Sequence, residues 1–211
     1  MAIEEGVAFW SMTRQAKGIR EGEFTSRELL ELFIQRIETI NPKLNAVVTL
    51  DLEYARSAAD EADASILAGE AVGPLHGIPI TVKEALKTAD LRSTAGATEL
   101  HNYVPDHDAA VVKAVKDAGA IVFGKTNLPR WSGDMQTYND MFGTTVNPWN
   151  AERVPGGSSG GAAAAVSAGL SSFEIGTDIG GSIRFPASFC GIYGHKPSFG
   201  IVPSTGYIDH E

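Results

Sequence analysis

The chain has 211 residues, 43% hydrophobic and 20% charged, with 17 basic against 26 acidic residues for a formal net charge of −9. These values are those of a soluble globular chain, long enough for one sizeable core or for part of a larger domain. No Lys/Arg cluster breaks the acidity, which argues against nucleic acid as a partner, and no stretch of about 18 apolar residues offers a membrane span.

The start, Met1-Ala2-Ile3-Glu4-Glu5, has neither the basic residues nor the apolar run of a secretory leader. The single cysteine, Cys190, leaves no internal disulfide and fits a reducing compartment. Between Phe189 and Ile192 it reads as a buried, inert thiol. A cytoplasmic location is the expectation.

Residues 7–21 carry Val7, Phe9, Trp10 and Met12 and predict a first helix. Thr25-Ser26-Arg27-Glu28 is a capping-box pattern. Leu29, Leu30, Leu32, Phe33, Ile37 and Ile40 follow at helical spacing, with Pro42 expected to stop the run. KLNAVVTL over 43–50 predicts a strand, and the Ala-rich stretch 51–69 a third helix ending at Gly69. In 73–86, Ile78, Ile80 and Val82 alternate with Pro79, Thr81 and Lys83, a strand pattern that sets a cation on one face. Residues 87–107 read as irregular, 108–119 as an amphipathic helix and 120–123 as a short buried strand. This alternation argues for an α/β layered domain. The aromatic, loop-rich stretch 124–150 is of a kind that is usually functional.

Two Gly-rich turns follow, each carrying a serine: Gly156-Gly157-Ser158-Ser159-Gly160-Gly161, and Gly176-Thr177-Asp178-Ile179-Gly180-Gly181-Ser182. Glycines at a loop-to-helix junction let backbone N–H groups point at a ligand, and a hydroxyl beside them is what acyl transfer needs. Two generic patterns compete. GAIVFGKT over 119–126 satisfies the phosphate-loop expression, but its middle is itself the strand and Pro129 follows too soon for a helix, so it reads as a chance match. GSSGG over 157–161 satisfies a nucleophile-elbow pattern centred on Ser159, with His195 or His210 as the required histidine. His76, His101 and His107 show no zinc-like spacing. A lysine such as Lys83 ordinarily keeps its ammonium wet. Buried against two hydroxyls it would lose charge and could act as a base, which needs a fall from about 10.4 to near 7.

On the strength of GIPITVKE, AGAIVFGKTN, FGTTVNPWN, PGGSSGG and GTDIGGSIRFPASFCGIYGHKPS, residues 77–200 resemble the amidase signature family. The resemblance implies a Ser-Ser-Lys triad that hydrolyses amides, on a fold with a mixed twisted β-sheet core covered by helices on both faces. It implies Ser182 as nucleophile, Ser158 as a bridging serine on a cis peptide bond, and Lys83 as base. The backbone N–H groups of Ile179, Gly180, Gly181 and Ser182 would form the oxyanion hole, and Trp131–Gly133 would line the acyl pocket. Asp178 and Arg184 are expected to brace the loop, and Ser159 to hydrogen-bond within its turn. No metal or organic cofactor is implied.

Phe185, in SIRFP, stands where the catalytic chain of glutamyl-tRNA amidotransferases typically has glutamine, which favours a free-standing amidase resembling fatty-acid-amide hydrolases. Family members continue well past the equivalent of Glu211. The chain is therefore expected to be the N-terminal portion of one amidase domain, with a helical region over about 1–70 and a catalytic core over about 71–211. The expected partners are a small-molecule amide, the C-terminal half as a second chain or a continuation, and, as a further option, another copy of the chain in a homodimer. The piece alone is expected to be inactive. Two alternatives stand beside amide hydrolysis: the glutamine-hydrolysing component of an amidotransferase, and a non-catalytic remnant that only binds or assembles.

Overall fold

A computed structural model describes residues 3–208. Met1 and Ala2 of the leader reading, and the candidate His210, lie outside the described residues.

The N-terminal helices form where their caps dictate. A short 3-10 helix covers Glu5–Phe9, and α1 covers Met12–Glu21. The predicted single helix over 7–21 is thus split, because the Ser11 side chain accepts the Arg14 N–H and starts a new helix. Helix α2, Ser26–Leu44, opens on the expected capping box. Glu28 N–H donates to Thr25 Oγ1 at 3.0 Å, and Thr25 N–H donates to Glu28 Oε2 at 2.9 Å.

Pro42 does not stop α2 but lies inside its last turn. The helix ends instead at Asn45, left-handed with φ 53, whose N–H donates to Asn41 O at 2.7 Å. The Asn41 side chain then accepts the N–H groups of Ala46 and Val47 and turns the chain into β1, Val47–Leu50. The predicted strand 43–50 is shortened accordingly. Helix α3, Leu52–Leu67, is capped by Asp51.

Strand β2 covers Pro79–Lys83, α4 covers Ala110–Asp117 and β3 covers Ile121–Thr126. Strand β3 runs three residues beyond the predicted 120–123. Gly124 is inside it because β1 passes too close for a side chain: an added Cβ would lie 2.7 Å from Thr49 O. Lys125 and Thr126 therefore sit in a strand, not at a helix start, so GAIVFGKT has no phosphate-loop geometry. A small hairpin, β4 (Tyr138–Asn139) with β5 (Gly143–Thr144), lies in the aromatic loop. Helix α5 (Gly160–Ser167), β6 (Glu174–Ile175) and α6 (Arg184–Cys190) complete the described chain.

The sheet order is β1-β3-β2-β6, with β1 antiparallel to β3 and β2 parallel to both neighbours. Strand β2 is interior, and all five of its residues are buried, as parallel strands covered on both faces require. Phe33 of α2 stacks on Phe123 of β3, ring centroids 6.4 Å apart, at the centre of the core. The architecture is mixed α/β, and the first 70 residues share its four-stranded sheet through β1. Among the described residues, no helix is long and apolar enough to cross a membrane.

Candidate active site

Lys83 ends β2 with no exposed surface at all. The surface reading of a strand lysine is therefore excluded, because β3 and β6 flank it and its stem has nowhere to emerge. Its Nζ donates to Ser158 Oγ at 2.6 Å and to Thr177 Oγ1 at 2.6 Å, and lies 5.8 Å from the centroid of the Tyr207 ring. The Gly157–Ser158 peptide bond is cis. Gly157 is required there by its neighbours, since an added Cβ would meet Asp134 O at 2.6 Å.

The two Gly-rich turns are tied to each other through Ser159. Its N–H donates to Ser182 O at 3.1 Å. Its Oγ accepts the Thr177 N–H and donates to Thr177 O, both at 3.2 Å. Ser159 thus bonds across to the second turn rather than within its own. Buried, and with its hydroxyl engaged on Thr177, it is a poor elbow nucleophile, while His195 stands exposed.

Asp178 shapes the turn that carries Ser182. Its carboxylate accepts from the N–H of Gly181 (2.7 Å), Ile183 (3.1 Å) and Arg184 (3.3 Å), and from Arg184 Nε and Nη2 at 3.0 and 2.9 Å. Burial pushes this carboxyl up, but the Arg184 guanidinium and the three N–H groups outweigh it and hold it well below the usual carboxylate range. The bracing role read for Asp178 and Arg184 has a geometric basis. One expectation needs correction: the Gly181 N–H belongs to Asp178 and does not face an oxyanion, because a charged acceptor three residues back captures it. The N–H groups of Ile179, Gly180 and Ser182 have no acceptor among the described residues.

Trp131 and Gly133 lie on the loop that presses against Gly157. Trp131 and Ser132 take left-handed backbone, φ 52 and 55, and the Trp131 N–H donates to Ala95 O at 2.8 Å. The Trp131 ring packs on the core while Gly133 is exposed. Beside Thr177 opens a cleft of about 730 Å³ to which Asp178, Ile179 and Tyr207 also contribute walls, but not Ser158 or Ser182. Cys190 is buried and its thiol is pushed up to about 12 by that burial, in keeping with an inert role.

Sequence reasoning missed Thr177 and Tyr207 as neighbours of the lysine. Thr177 sits in a motif already singled out, but nothing in the sequence shows that its hydroxyl meets the lysine. Nothing in the local sequence marks Tyr207. A second buried group was also missed. Lys125 donates to Leu86 O and to Ser93 Oγ, and burial lowers it to about 8. Glu174 accepts from Thr126 Oγ1 while its enclosed Oε2 has no hydrogen-bond partner among the described residues, and burial raises it to about 8.

The Amidase family model matches residues 28–211. The A component of the glutamyl-tRNA(Gln) amidotransferase of Heliobacterium modesticaldum is 47% identical over 186 residues, 88% of this chain and 38% of that protein. Among solved structures, the peptide amidase of Stenotrophomonas maltophilia superposes with a TM-score of 0.92 at 36% identity, covering 97% of this chain and 43% of that one. A fatty acid amide hydrolase gives 0.93 at 32%, covering 98% and 37%. The chain thus spans about two-fifths of the length of the curated relatives it matches.

Proposed function

This chain belongs to the amidase family, and from that premise we propose that it carries the catalytic residues of a carboxamide hydrolase. The observation that carries the reading is the fully buried Lys83 amine 2.6 Å from Ser158 Oγ, in a turn bonded to the main chain of Ser182. Burial disfavours a charged amine, so Lys83 works in its neutral form as the base.

In this mechanism Ser182 Oγ bonds to the amide carbon as its proton passes to Ser158, whose own proton passes to Lys83. The carbonyl electron pair moves onto oxygen, held by the N–H groups of Ile179, Gly180 and Ser182. Collapse of the adduct breaks the C–N bond, and the leaving nitrogen takes a proton back through Ser158. Water then attacks the Ser182 ester, returning its proton by the same relay and releasing the acid. No step calls on a metal or an organic cofactor.

The relatives' greater length supports a further polypeptide segment over the site, as a continuation or as a separate chain. So does the surface: Tyr193 and Phe199 are 105% and 101% exposed, Ile179 is 74% exposed, and the outer edge of β6 is unpaired among the described residues. A fluorophosphonate probe tests the reading on the chain joined by that segment. Labelling is expected at Ser182 and to fall at least a hundredfold in Lys83→Ala, on the order of what acid–base partners contribute. Absence of label at Ser182 in the complete assembly would leave the non-catalytic remnant as the reading that survives.

The 47% identity to an amidotransferase component supports a second reading, in which the amide cleaved is that of glutamine. Phe185, standing where the amidotransferase component typically has a glutamine, supports a free-standing amidase instead. Turnover of glutamine against anilides of fatty and aryl acids separates the two.

A further inference from the structure

The relay just described leaves open what aims the lysine. A neutral amine has one lone pair and two N–H groups, and only the lone pair can take the Ser158 proton. An amine free to spin about its last C–N bond would present an N–H to Ser158 most of the time. In this site a second oxygen, Thr177 Oγ1, lies at the same 2.6 Å from Nζ.

We propose that Thr177 is a positioning residue that takes an N–H of the neutral Lys83 amine and so turns the lone pair onto Ser158, with Ser159 as the clamp that fixes Thr177. The inference rests on the hydrolase reading. Three observations carry it. Thr177 is β-branched, so its hydroxyl has few rotamers to choose from. Its N–H and C=O are both held by Ser159 Oγ. Ser159 is pressed from behind by Gly176, where an added Cβ would come within 2.8 Å of Ser159 Oγ. The residue beside the bridging serine therefore holds the residue that orients the base. This gives Ser159 a use that needs no reactivity of its own.

The experiment is a pH–rate series on the complete, active assembly with one amide substrate, comparing Thr177→Val, Thr177→Ser and the double variant Lys83→Ala/Thr177→Val. A hydroxyl acceptor stabilises the ammonium more than the amine, so its loss makes the lysine easier to deprotonate. Thr177→Val is expected to lower kcat by about 10- to 100-fold, the scale of a small misplacement of a reacting group. KM should stay within about twofold, and the acid limb of kcat/KM should move to lower pH. Thr177→Ser should restore most of kcat and return the limb. On the Lys83→Ala background the valine should cost nothing further, because two residues acting as one unit do not add.

A Thr177→Val enzyme with unchanged kcat, or with lower kcat but an unmoved limb, overturns the inference. So does a further loss in the double variant, which would mark a scaffold role. Should Thr177→Val fail to fold, Thr177→Ala takes its place in both the single and the double variant, with the same outcomes expected. If Lys83→Ala alone leaves Ser182 labelling intact, it is the hydrolase reading that has failed, not this one.

Discussion

At Gly161 an added methyl group would lie 2.4 Å from both N and O of Asn127, main-chain atoms that cannot step aside, whereas at Gly180 nothing lies within 4 Å. The two glycines therefore answer to different demands. Gly161→Ala is expected to cost about 1–3 kcal/mol through overpacking, read as a fall in Tm of several degrees. Gly180→Ala should leave Tm unchanged and lower kcat, because the new methyl stands where a carbonyl oxygen would approach the turn. A Gly180→Ala protein as active as the parent would move the oxyanion away from this turn. Lys83, Ser158 and Ser182 stand out in the sequence only through the resemblance of their motifs to the amidase signature family. Thr177 does not, because a threonine hydroxyl inside a Gly-rich turn looks the same whether it meets water or a lysine. The assignment of the Gly181 N–H also needs coordinates: only they show that Asp178 reaches it first.

Between elements, caps and enclosed charges govern the outcome. The Thr25–Glu28 capping box caps the N-terminus of α2, and Thr25→Ala should destabilise the protein by about 1 kcal/mol in chemical denaturation. Within the sheet, Glu174 of β6 has a folded-state pKa of about 8 against an ordinary value of 4.5, because burial penalises its charge. Such a group binds its proton more tightly folded than unfolded, so stability must fall as pH rises from about 4.5 to about 8 and then level. Glu174→Gln keeps the shape of the neutral acid without titrating. Its Tm relative to the parent should rise across that window, and parallel Tm curves would show that Glu174 is ionised in the fold. Helix and strand identities are largely legible from periodicity. The boundaries that shift do so for local reasons: Ser11 caps a new helix, Asn41 and Asn45 end α2 past Pro42, and the crossing of β1 lengthens β3 through Gly124.

Over the whole molecule, the exposed apolar residues gather in the last quarter of the chain, with Phe185, Phe189, Tyr193, Phe199, Ile201 and Val202 all exposed. Exposed apolar residues in this number ordinarily meet a covering surface. The 211-residue chain alone is expected to bind an apolar dye and to self-associate in sedimentation, and Phe199→Ser with Ile201→Ser should weaken both. A monodisperse, dye-silent chain would mean that the surface needs no cover. The sequence does not mark these residues, since an exposed phenylalanine and a core one read alike. The sheet adds a constraint on biogenesis. Its interior strand β2 bears Lys83, yet the edge strand that carries the chain to Thr177 comes some ninety positions later and is two residues long. On the ribosome, a nascent polypeptide therefore holds Lys83 without its Thr177 contact until that short rung docks.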